Sequence, residues 1–122
     1  MKKKEKDLLL LKDLSSRLPH GVMCKFTLVK SRLDVTDKLG LGGLGQFMCG
    51  KTEIIPYLRP MSSMTEDEEN EYSRLTYIGA TLDDLVKGMD FLNANHFDYR
   101  GLIDMGLALE APVDMYKKVV EK

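Results

Sequence analysis

Residues Gly45 to Thr52 read GQFMCGKT, a letter-for-letter match to the phosphate-loop pattern G-x-x-x-x-G-K-[ST]. How the backbone passes through this stretch separates two folds. A working phosphate loop leaves a buried parallel strand and opens directly into a helix, whose first amides converge on phosphate. Here the chain continues Glu53-Ile54-Ile55-Pro56. The proline disfavours helical backbone at Ile55 and breaks a helix within about a turn and a half. Phe47, Met48 and Cys49 are bulky where such a loop must wrap closely. No second apolar strand ends in a metal-holding aspartate, and the strand–helix alternation of a doubly wound sheet is missing. The expectation is an extended chain after Lys51. The letters then arise by chance in a Gly-rich turn, as roughly one chain in a hundred of this composition would show.

Upstream, VMCKFTLV (22–29) alternates Val22, Cys24, Phe26 and Leu28 with Met23, Lys25, Thr27 and Val29, which predicts a strand with one buried face. Leu33, Val35 and Leu39 suggest a second strand, LGQFMC a third, and Thr52 to Ile55 a short fourth ended by Pro56. Gly40, Gly42, Gly43 and Gly45 would serve turns or bulges between them. Strands in this succession predict an antiparallel meander, either open or curled into a partial barrel.

Before the meander, Leu8, Leu11, Leu14 and Leu18 fall at helical spacing, with Lys12, Asp13 and Arg17 on other faces, so a helix is expected over about 4–18 until Pro19. After Pro60, Thr65-Glu66-Asp67-Glu68 is a capping box that opens a helix with Tyr72, Leu75 and Ile78 on its apolar side, ending at Gly79. Thr81 caps the next helix, where Leu82, Leu85, Val86, Met89 and Leu92 form an apolar stripe that should stop near Asn95. Asp98 is expected to cap a short helix over Tyr99 to Met105, closed by Gly106, with a short strand or extended segment at Leu107 to Leu109.

The chain of 122 residues, 43% hydrophobic and 30% charged, is that of an ordinary globular domain. A net charge of -1 gives no overall attraction to nucleic acid or anionic lipid. The apolar run Leu8 to Leu11 is too short for a secretory signal, and no stretch approaches a membrane span, so a cytoplasmic protein is expected. Cys24 and Cys49 are expected to be buried reduced thiols.

The candidate chemistry is thin. His20 and His96 lack the spacing of a ligand set, Ser62 and Ser63 lack a base, and Glu66 to Glu71 form a solvated first turn. No catalytic residue, cofactor or metal is therefore assigned. Lys2, Lys3, Lys4 and Lys6 could touch phosphate backbones, but no aromatic residues interleave with them. HFDYRG (96–101) gathers aromatic residues and an arginine at a helix start, so His96, Tyr99 and Arg100 are the candidate interaction surface. The favoured reading of the same residues is a structural corner, with Phe97 and Tyr99 packed and Arg100 paired to Asp98 or Asp104.

Three stretches, LLLLKDLSSRLPHGV (8–22), IPYLRPMSSMTEDEENEY (55–72) and LNANHFDYRGLIDMGLALEAP (92–112), cover about half the chain. Together they resemble a group of small uncharacterised proteins of Bacteroides-type gut anaerobes, often encoded in prophage or mobile elements. The resemblance implies a small cytoplasmic protein with no assigned activity and carries no catalytic residues. Members often have an aromatic residue where His20 stands, and the span 23–52 lies in their variable part.

These readings converge on one α+β domain over 1–122: a helix plus β meander to residue 60, and a mainly helical segment from 61. The function expected is a non-enzymatic binding or accessory protein, working on an unidentified protein partner or by self-association, without a membrane. The alternatives are a nucleic-acid-associated module using the Lys-rich N-terminus and, more remotely, nucleotide binding through GQFMCGKT.

Overall fold

The computed structural model describes residues 2–116 as an α+β fold with four α-helices and an open four-stranded sheet. Helix α1 (Lys3–Arg17) runs into a single 3-10 turn around Pro19, closed by Gly21 at φ +67°. Strands β1 (Met23–Leu28) and β2 (Asp34–Lys38) form an antiparallel pair. Helix α2 (Leu41–Met48) follows, then β3 (Thr52–Leu58), which lies antiparallel on the other side of β1. Helices α3 (Glu66–Thr76) and α4 (Leu82–Ala94) make a hairpin, and β4 (Leu109–Glu110) adds a short strand parallel to β3. The sheet order is β2-β1-β3-β4, and it does not close into a barrel.

GQFMCGKT carries the main correction. The predicted third strand is helix α2, and the Gly-Lys pair is its stop signal. Gly50 takes φ +76°, a conformation glycine adopts without penalty. Its N–H bonds the Phe47 carbonyl at 3.1 Å and the Lys51 N–H bonds the Gln46 carbonyl at 3.0 Å, the paired bonds of a Schellman end. The chain after Lys51 is extended, as expected, but β3 runs through Pro56 to Leu58. Proline is tolerated in mid-strand because Lys25 and Ile55 pair across the β1 ladder, so residue 56 turns its missing N–H away from β1.

Packing explains why a helix with glycine at three of eight positions forms. A Cβ on Gly43 would stand 2.9 Å from the Phe26 ring, so the bare backbone is what lets α2 lie on β1. Leu44 then enters the core with Leu10, Leu14, Val22, Cys24, Leu39, Ile54, Leu58, Leu102 and Ala108. Every residue of β2 is exposed, and Asp34, Asp37 and Lys38 guard that edge with charge.

Helix α1 turns a different face inward from the one expected. Its buried residues are Leu10, Asp13, Leu14 and Arg17, while Leu8 is exposed. Both capping boxes in the hairpin form, Thr65 with Glu68 and Thr81 with Asp84. Gly88 seats α4 on α3, with its Cβ position 3.2 Å from Thr76 Cγ2. Helix α3 stops at Thr76, so Ile78 lies beyond it rather than on its packed side. The short helix expected over 99–105 is a series of turns, although Asp98 does accept from the Leu102 and Ile103 amides at 2.8 and 2.9 Å. Cys24 is buried, with its thiol pushed up to about 12 by desolvation, then by Asp13. Cys49, expected inside, is exposed at the end of α2.

Candidate functional site

The segment 96–100 is built by the end of α4. Asn95 closes the helix and His96 takes φ +62°, the left-handed position usually given to glycine. The His96 and Phe97 amides bond the Asn93 and Leu92 carbonyls at 3.2 and 3.0 Å. Next, the Arg59 N–H donates to the His96 carbonyl and the Asp98 N–H to the Arg59 carbonyl, both at 2.8 Å. These bonds join the corner to the exit of β3.

Inside the corner sits a charged network. Arg17 and Asp13 are both fully buried, and Arg17 Nε donates to Asp13 Oδ2 at 2.9 Å. Arg17 Nη2 donates to the Phe97 carbonyl at 2.6 Å. Arg100 Nη1 donates to the other Asp13 oxygen at 2.7 Å and to the Tyr99 hydroxyl, which donates to Asn93 Oδ1. Both guanidinium groups lie over the Tyr99 ring, 5.1 and 4.6 Å from its centroid. One carboxylate thus holds two arginines and ties α1 to a corner more than 80 residues away in sequence.

Of the candidate residues, His96 is only 6% exposed, and Tyr99 and Arg100 point into this network. The geometry is that of the structural corner, with one correction: Arg100 pairs with Asp13 rather than Asp98 or Asp104. Sequence reasoning missed Asp13 and Arg17. The signal lies in the i, i+3, i+4, i+7 spacing of Leu10, Asp13, Leu14 and Arg17, whereas the Leu8, Leu11, Leu14 and Leu18 spacing put both charges on other faces.

Tyr116 completes the corner. Its ring stacks on His96 at 3.8 Å between centroids. Its hydroxyl accepts from the Met23 N–H at 2.8 Å and donates to the Tyr57 carbonyl at 2.7 Å. It stands where the β1–β3 ladder would otherwise place its next bond. Desolvation raises its phenol above the usual range. The same burial, with Arg17 second, lowers His96 to about 4.

Beside the corner lies an open cleft of about 980 Å³ lined by Arg59, Glu68, Glu71, Phe91, Val113 and Tyr116. Its cation is taken: Arg59 makes two bonds to Glu68, at 2.8 and 2.7 Å, and lies over the Phe97 ring. That pairing holds the Glu68 carboxyl below its ordinary range. Nor does GQFMCGKT present a cradle. The amides of Cys49, Gly50 and Lys51 are already bonded within the helix end, and the helix precedes the loop instead of following it. Among the described residues, no three His, Cys, Asp or Glu side chains stand close enough to hold a metal ion, and no helix is long and apolar enough to cross a membrane.

The hairpin carries the least expected feature. Of the α4 stripe, only Leu92 is buried. Leu82 is 78% exposed, and Leu85, Val86 and Met89 are about half exposed. Ile78 is wholly exposed and Tyr77 is largely so, at the hairpin tip. The C-terminal part of the stripe enters the body, where Leu92 and Asn93 are buried, and the N-terminal half overhangs bare. The periodicity was legible, but whether anything covers the stripe is a tertiary fact. No family model matches the chain, and no curated protein or solved structure proves similar to it.

Proposed function

We propose that this protein is a small non-enzymatic binding protein that works through protein contacts, with the bare apolar face of the α3–α4 hairpin as its working surface. The observation that carries this reading is the exposure of Ile78, Leu82, Leu85, Val86 and Met89 together with Tyr77. Six large apolar side chains left bare on one hairpin are more than the singly scattered apolar residues of an ordinary surface. Rimmed by charged residues, such a cluster is the mark of a protein contact site. The corner supports the same reading: its arginines and tyrosine are engaged internally, so it serves as the frame that holds α4 in place.

The test is a photoreactive amino acid placed at Leu85 or, as a control, at Ser15, on the exposed side of α1. In cells of the native host, irradiation is expected to give one discrete adduct from position 85 and none from position 15. Absence of an adduct at 85, or the same products from both positions, would remove this surface from consideration.

A further inference from the structure

The near-neutral total charge hides an asymmetry. Residues 65–94 hold eight carboxylates against Arg74 and Lys87, a net of −6 in a chain whose total is −1. The rest of the chain therefore carries +5. Two of these carboxylates border the bare stripe. Asp83 and Asp90 lie three residues before and four after Val86, which places them in the neighbouring row of the helix surface. Both are exposed, and Lys87 engages Asp83 at 3.1 Å. No cation stands within ion-pair reach of Asp90 among the described residues.

We infer that the occupant of this face is a basic amphipathic helix of a different protein, apolar along one side with Lys or Arg at its margins. This rests on the proposed working surface and names the chemistry that fits it. Leu82, Leu85, Val86 and Met89 follow i, i+3, i+4, i+7, so they offer a ridge about two turns long, the footprint into which another helix's apolar stripe interdigitates. The acidic margin selects the sign of the partner's charges and speeds its arrival. It also disfavours a second copy. Packing two α4 faces together would bring the Asp83 and Asp90 margins of both copies into one interface.

The probe is a fluorescein-labelled helical peptide of leucine and lysine, with leucines on one face, titrated with the full chain and read by anisotropy. Two control peptides replace lysine by glutamate or scramble the leucine positions. Binding of the Leu/Lys peptide is expected to weaken at least tenfold between about 50 and about 500 mM salt. It should also weaken tenfold or more in the Leu82→Ser, Val86→Ser double variant and several-fold in Asp83→Asn, Asp90→Asn, with the two control peptides binding far less. Equal binding to the serine variant or to the scrambled peptide would reduce the effect to bulk charge and overturn the inference, as would no binding. Sedimentation of the protein alone should show a monomer; a dimer dissolved by the two serine substitutions would put a second copy on the face and overturn it too. If these peptides fail while the cross-link at position 85 succeeds, the surface stands and only the basic-helix identity falls. If both fail, neither survives.

Discussion

Replacing Asp13 with alanine is expected to destabilise the protein by about 3–5 kcal/mol, the loss that follows when one partner of a buried ion pair is removed. The carboxylate is fully buried and is the shared acceptor of Arg17 and Arg100. Without it, Arg17 stays enclosed with only the Phe97 carbonyl and the Tyr99 ring to offset its charge. Its Nη1 already has no hydrogen-bond partner. The double variant Asp13→Leu, Arg17→Met should recover much of the loss, because a buried pair can be exchanged for apolar side chains of similar volume at little net change. Urea denaturation at constant m-value reads both. A single variant within about 1 kcal/mol of wild type would mean that the network does not hold α1 to the corner.

Acidification from pH 7 to pH 5 should remove about 2 kcal/mol through His96 alone. Its folded pKa of about 4 lies below the ordinary value of 6.5, chiefly through desolvation and then through the positive charge of Arg17. The unfolded chain therefore binds a proton that the folded chain refuses, so the contribution is present above pH 6.5 and is lost as the pH falls towards 4. The depressed carboxyls Glu68 and Glu71 act in the same direction, but only nearer their ordinary value of 4.5, which leaves the window above pH 5 to the imidazole. Asn tolerates the left-handed backbone at this position, so His96→Asn is the suitable control. Its stability should vary less between pH 7 and 5; an unchanged slope would assign the effect to other groups.

Local signals were the legible ones. The box at Thr65 and the cap at Thr81 depend on side chains three residues apart, and both form, Thr81 as a full box with Asp84. Alternation placed β1, and Pro56 correctly argued against a helix after Lys51, where the backbone is extended. What eluded the sequence depended on partners distant in the chain. Helix α2 goes against glycine's poor intrinsic preference by about 1 kcal/mol for each glycine, and forms because Gly43 admits the Phe26 ring and Leu44 reaches the core. Asp13 and Arg17 read as lying off the apolar face of α1, because Arg100 and the Phe97 carbonyl, which enclose them, come from the far end of the chain. At the candidate site, HFDYRG was legible as a place where polar and aromatic groups converge. The corner reading was legible as well, but the partner of Arg100 was not, because that carboxylate lies on α1.

The account depends most on the α4 stripe being a surface rather than part of the core, and thermal unfolding of Leu82→Ser, Val86→Ser tests that directly. If the stripe is bare, the variant should stay within about 0.5 kcal/mol of wild type, as substitutions away from packed positions do. A loss of several kcal/mol would place these side chains in the core and contradict the assignment of the hairpin as the contact surface.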